Sequence, residues 1–546
     1  MLTFIRGGRV IDPAQRRDAV GDIWIDDDRI VQPPAAGARA DAVHDASGMV
    51  VMAGAIDIHS HIAGANVNTA RLLLLPEWRR GAAPRSELTP LSSAGWTTRQ
   101  TGRDYAAMGF TTVVEPAIAP HQALHAHLEL ADVPIIDKAI LCVLGNDDYL
   151  LRSMRDKASA AHVSEYVAWT LQTTRALGVK VINAGAAAAF KANVRSFSLD
   201  DVVPGYGVSS RSIVKTLQRA VIDLGLPHPL HVHCNNLGLA AGADSVIATI
   251  EAAEGLPLHL AHIQFYAYGV EGEKRFSSAA ARLAESVNAH KNITVDVGQV
   301  MFGQTVTISS DVTRQFSAIG RASPKKWAII DGDSNGGGIV PYNYRATDFH
   351  NAVQWAAGLE LFLLIDDPSR VFFTTDHPNG APYTAYPDLF ALLMDRDRRA
   401  QWIAKLPPAA MAMSTLPSLE REYTYPEIAV MTRASPARLL GLSDRGHLAA
   451  GARADVAVYA EQPDKAAMFR NAAFVFKDGD LVVRDGRILH HRSGRALSID
   501  RKIDPAIERR MRDYYEETYG LEPDLLKVRA SALGVADPFE AVSCSR

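Results

Sequence analysis

Two hydrophobic patterns divide the chain. At its start, short apolar runs alternate with turns: Leu2-Thr3-Phe4-Ile5 before Gly7-Gly8, then Arg9-Val10-Ile11, Asp22-Ile23-Trp24-Ile25 and Arg29-Ile30-Val31, with Asp26-Asp27-Asp28 as a turn. The same texture returns in Ala454–Tyr459, Ala473–Phe476 and Leu481–Leu489. The two ends read as halves of one small β domain. Between them, strand-like runs at Thr111–Glu115, Lys138–Leu144, Val179–Asn183, Leu230–His233, Leu258–His262, Ile293–Val297 and Val371–Thr375 alternate with helical stretches such as Val163–Leu177, Arg211–Leu224 and Ala279–Ala289. This alternation predicts a parallel α/β fold, and its span and strand count suit a (β/α)8 barrel of the TIM type. A doubly wound open sheet fits the same pattern, but neither G-x-G-x-x-G nor G-x-x-x-x-G-K-[ST] occurs. The expected layout is residues 1–53 and 436–500 for the β domain, 54–435 for the barrel and 501–546 for a helical tail, with Pro505–Thr518 as its helix.

The run Val50–Gly64 ends in His59-Ser60-His61. In a strand these histidines project from one face, the beginning of a transition-metal site. Further candidates fall at later strand ends. Lys180 is a polar residue inside a β-branched strand, where the bland reading is a snorkelling surface lysine. His231 and His233 share a strand face, His262 closes Leu258–His262, and Asp376 follows Val371–Thr375. A lone core histidine is usually structural, but a series at successive strand ends is hard to explain that way. His121 and His125 have helical zinc spacing without the glutamate of H-E-x-x-H, and are read with His127 as surface or supporting residues. His490 and His491 are read as solvated, and Cys234 as a buried structural cysteine facing away from His233. The glycine-rich Asp331–Gly338 lacks the Lys-Ser/Thr of a phosphate loop, so a mobile active-site loop is expected there.

Composition narrows the class. A net charge of −4 gives no support for nucleic-acid binding. Three widely spaced cysteines (Cys142, Cys234, Cys544) argue against a disulfide framework and fit a reducing cytoplasm. No apolar run reaches the ~20 residues of a membrane span, and the N-terminus does not read as a signal peptide.

Ala53–His61, the strand lysine, the later strand-end histidines and Thr375-Asp376-His377-Pro378 resemble the metal-dependent amidohydrolase superfamily. Gly441–Tyr459 is similar to the stretch by which such enzymes return to their β-sandwich domain, and Ala53 stands where relatives usually carry proline. Within the superfamily, His59–Gly64, Val179–Asn183, His231–Gly238 and Asp296–Val300 resemble the A subunits of formylmethanofuran dehydrogenases and of bacterial formyltransferase/hydrolase complexes. The resemblance implies two Zn²⁺, or other divalent ions, bridged by N6-carboxylated Lys180. His59, His61 and Asp376 would hold one ion, and His233 and His262 the other. The choice of His233 over His231 rests on aligning Val232-His233 with relatives. It further implies a hydroxide attacking the formyl carbon of an N-formyl amine, Asp376 as base then acid, and formate as product. The substrate would be a furan-methylamine coenzyme of methanofuran or methylofuran type with a glutamyl tail, handled with other subunits of a formyltransferase/hydrolase complex in one-carbon (formaldehyde oxidation) metabolism. A basic lining for that tail is expected, with Arg321, Lys325, Lys326 and Arg345 equally explained as solvated surface. Three alternatives remain: another amidohydrolase (hydantoinase, dihydroorotase or N-acyl amino acid deacylase type), a non-catalytic scaffold on the same fold, and a carbohydrate or phosphate-ester enzyme.

Overall fold

The computed structural model describes residues 1–35, 37–73, 98–309, 312–322, 338–534 and 538–544. Its centre is a ten-stranded sheet in which eight strands follow one another in chain order. These are Ala55–Asp57, Phe110–Ile118, Asp137–Leu144, Gly178–Ile182, His231–His233, Leu258–Leu260, Ile293–Asp296 and Val371–Phe372. Neighbours pair in parallel. The last returns to the first through a single parallel bridge, Ser60 to His377. At that seam His61 N–H donates to His377 O at 2.8 Å and Thr374 Oγ1 to His59 O at 2.6 Å. The barrel is thus closed by the segments that carry the candidate ligands.

Helices such as Ala160–Thr174, Ser210–Asp223 and Ala280–Ala289 cover the outside, within a few residues of the expected spans. The strands read as continuous apolar runs because both their faces are buried.

The chain ends build a separate nine-stranded sheet with its own core, including Ile5, Val10, Ile23, Val51, Val456 and Phe476. The two runs expected at 2–5 and 9–11 are one strand, Leu2–Asp12, with a register shift between Ile5 and Gly8. Met49–Ala53 pairs with Val456–Ala460, which joins the two halves of the domain. The chain crosses from this sheet to the barrel at Gly54, where a Cβ would lie 2.2 Å from Thr111 Oγ1. Only glycine fits there.

The structure departs from the expected layout in two places. Ala496–Ile499, expected within the small β domain, adds instead to the barrel sheet beside Asp137–Leu144, and Phe539–Val542 pairs onto it. The reason lies in the third barrel strand, which pairs with Gly178–Ile182 only from Leu141 onward. The edge of its first residues is therefore open, and the tail fills it. The tail accordingly holds a strand as well as the helix Pro505–Tyr519. In the region expected to form a glycine-rich loop, Gly303–Ser309 and Gly338–Tyr344 form an antiparallel ribbon. Residues 331–337 of that expected loop, and Lys325 and Lys326, lie outside the described residues.

A buried charge cluster locks these units together. Lys477 Nζ lies 2.9 Å from Asp137, 3.0 Å from Asp455 and 3.0 Å from Asp478. Arg445 reaches Asp137 at 3.1 Å and Glu540 of the tail at 2.9 Å. Lys477 is fully buried, so removing its charge strands neighbouring carboxylates away from water. Lys477→Met is expected to lower stability by about 3–5 kcal/mol, read as an earlier urea midpoint; an unchanged midpoint would contradict the clamp.

Candidate metal centre

His59 and His61 follow the first strand and approach Asp376, which follows the eighth, at the C-terminal mouth of the barrel. His59 Nε2 lies 3.0 Å and His61 Nε2 3.2 Å from Asp376 Oδ1. Both histidines are turned by a carboxylate on the far side of the ring. His59 Nδ1 lies 2.9 Å from Asp296 Oδ2, and His61 Nδ1 lies 3.0 Å from Glu115 Oε1. A carboxylate on Nδ1 favours the Nδ1–H tautomer and leaves Nε2 free to coordinate. Asn379 Nδ2 donates to Asp376 Oδ2 at 2.8 Å, which aims Oδ1 at the two histidines.

His59 Nε2 and Asp376 Oδ1 are buried without a directed hydrogen bond, and so is His262 Nδ1. Orphaned acceptors facing one another are what a bound cation would satisfy. Among the described residues, two groups of imidazole and carboxylate donors are close enough to hold an ion: His59, His61 and Asp376, and His59, His231 and Asp296. The second group coincides with the hydrogen bonds that orient His59.

Lys180, His233 and His262 line the same cavity as His61, Glu115 and Asp376. The His233 and His262 rings meet edge-on at 4.6 Å between centroids. Lys180 is buried, not snorkelling. Burial lowers its pKa to about 8, against the pull of Asp296 and Asp376. Burial opposes protonation of His61, but Glu115 and Asp376 push its pKa up to about 9. Asp376 stays well below the carboxylate range, since His262 and His59 overcome the burial that would raise it. His262 and Asp376 both adopt left-handed backbone, with φ of 35° and 51°. Such conformations in non-glycine residues cluster at functional sites, where surrounding contacts hold them.

All six predicted residues therefore meet at one cavity. His231 does not line it. It sits beneath, with Nε2 3.1 Å from His59 Nδ1 and Nδ1 3.1 Å from His228 Nε2. His121 and His125 are exposed, His127 is buried against Thr174 O, and His490 and His491 are exposed. Arg321 and Arg345 are exposed outside the cavity lining.

Sequence reasoning missed Asp296, Glu115 and Asn379. Asp296 and Glu115 are carboxylates at the ends of apolar strands, the same signal that singled out the histidines. Asn379 had no such signal.

The amidohydrolase family model matches residues 42–490. The hydrolytic FhcA component of the formyltransferase/hydrolase complex of Methylorubrum extorquens is 50% identical over 551 aligned positions, covering 100% of both chains. Protein FwdA of Methanocaldococcus jannaschii is 37% identical, covering 92% of each chain. The crystal structure of the Methylorubrum extorquens formyltransferase/hydrolase complex (FhcABCD) with methylofuran contains a chain that superposes with a TM-score of 0.93 at 50% identity, covering 100% of both chains. Among the described residues no helix is long and apolar enough to cross a membrane. With its barrel, its strand-end donors and these full-length relatives, the chain belongs to the amidohydrolase family.

Proposed function

We propose that the chain hydrolyses an N-formyl amine, a furan-methylamine coenzyme of the methylofuran or methanofuran type, to formate and the free amine. It would act as the FhcA-type component of a formyltransferase/hydrolase complex in one-carbon metabolism. The observation that carries this reading is the 50% identity to FhcA over the whole of both chains.

The donor set fits a binuclear centre. His59, His61 and Asp376 would hold one divalent ion and His233 and His262 the other. Lys180, N6-carboxylated, would join them. No third imidazole, thiol or carboxylate closes on the His233–His262 pair among the described residues, so a bridging oxygen donor from Lys180 completes it. When bound, such ions acidify water to near-neutral pKa and polarise an acyl oxygen.

The residues of the chain then have separable tasks. Glu115 and Asp296 hold the His61 and His59 rings with Nε2 directed into the cavity. Asn379 fixes the Asp376 carboxylate beside the reacting carbonyl. As the attacking water adds to the formyl carbon, Asp376 takes its proton. It returns that proton to the amine nitrogen as the C–N bond breaks. One water is consumed, and formate and the amine leave. A glutamyl tail on the coenzyme would extend beyond the described lining.

The test is formate release from an N-formylated furan-methylamine by the purified chain, with a hydantoin in parallel. Formate that disappears on chelation is expected. Hydantoin opening without formate would overturn the proposal in favour of a cyclic-amide hydrolase, and bound metal with neither reaction would overturn it for the chain acting alone.

A further inference from the structure

Asp296 makes an unusual set of contacts for a residue outside the proposed ligands. Its Oδ2 lies 2.9 Å from His59 Nδ1 and 3.0 Å from His259 Nε2, while its Oδ1 accepts from the His262 backbone N–H at 2.6 Å. His59 is proposed for one ion and His262 for the other. We infer that Asp296 is a positioning residue that couples the two halves of the centre, an inference that rests on the binuclear reading above.

The hydrogen-bond polarity makes the coupling specific. The His262 N–H is a fixed donor. His259 Nδ1 faces Thr294 Oγ1 at 2.9 Å, so with the Thr294 hydroxyl as donor its Nε2 carries the proton given to Asp296. His59 must carry its proton on Nδ1 if Nε2 is to coordinate. All three groups therefore donate, and only a carboxylate offers acceptors to all of them. His262 adopts φ 35°, so the bond to its N–H also anchors a backbone turn that few other contacts favour.

An amide of the same shape fails whichever way it is turned. With its NH2 at the Oδ2 position, it opposes the His59 and His259 donors and drives His59 toward the tautomer whose Nε2 carries the proton. With its NH2 at the Oδ1 position, it opposes the His262 N–H and releases the turn that presents that ring. Glu115 offers a contrast. Its Oε1 orients His61, and its Oε2 accepts from Ile62 and Ala63 N–H at 2.6 and 3.0 Å, all on the first strand's extension. Its influence is confined to one ion.

The experiment is metal affinity, read by competition with a chromophoric chelator on the full chain, without reference to turnover. Asp296→Asn is expected to weaken retention of both ions by ~10–100-fold, whereas Glu115→Gln weakens one and leaves the other. Asp296→Glu keeps the buried charge but displaces its oxygens by about one C–C bond, so it tests positioning if Asp296→Asn does not fold; it too is expected to weaken both. Wild-type affinity for both ions in folded Asp296→Asn, or in Asp296→Glu, would overturn the inference, as would loss confined to one ion. Wild-type protein that binds fewer than two ions would instead contradict the binuclear reading beneath it.

Discussion

Replacing Asp376 by asparagine is expected to lower formate release by ~10²–10⁴-fold, the range associated with loss of a positioned acid–base group. An amide does not shuttle a proton at neutral pH, so both the delivery of water to the formyl carbon and the protonation of the leaving amine fail together. Metal content should remain near ~two ions per chain, because an amide oxygen can still face His59 and His61. The amide NH2 would then meet Asn379 Nδ2, which now donates to Oδ2 at 2.8 Å. Asn379 cannot turn freely, since its own Oδ1 accepts from Ile308 N–H at 2.6 Å. The conflict is expected to cost about 1 kcal/mol, one hydrogen bond's worth, in stability. Turnover near the wild-type rate, measured alongside metal content, would remove Asp376 from the acid–base role.

The second large effect concerns Lys180. Lys180→Ala is expected to reduce metal from ~two ions per chain to ~one or fewer, because each ion loses the shared donor. The half holding His233 and His262 should empty first, since it has only two imidazoles of its own. His59, His61 and Asp376 converge without help from the lysine, with Nε2-to-Oδ1 separations of 3.0 and 3.2 Å. Burial has already brought the Lys180 amine down to about 8, so a fraction is uncharged near neutrality and able to react with carbon dioxide. An unchanged metal load in Lys180→Ala would contradict the bridging role, whatever happened to activity.

Much of this architecture is legible in the chain because burial on both faces writes the barrel strands as apolar runs. Their polar ends then mark the mouth of the barrel, and His59, His61, Lys180, His262 and Asp376 stand out against that background. The pair His231 and His233 shows where such reading stops. Alternation places both side chains on one strand face. Their depth differs: His233 lines the cavity, while His231 lies beneath it against His59 and His228. Depth along a tilted barrel strand depends on register with its neighbours, which no local pattern records. The contribution of the tail was hidden for a similar reason. Ala496–Ile499 resembles the short strands of the small domain, and only the open edge of Asp137–Leu144 recruits it to the barrel. Asp296 and Glu115 were visible as strand-end carboxylates, but whether such a group binds an ion or turns a histidine depends on distances between strands far apart in sequence.

The central claim is that two ions held by these six residues drive deformylation. The most direct measurement starts from metal-free protein and follows formate release from an N-formylated furan-methylamine as Zn²⁺ is added stepwise. The account predicts little activity up to about one equivalent and a maximum near ~two per chain. Full activity at one equivalent, or formate release by the metal-free chain, would contradict it.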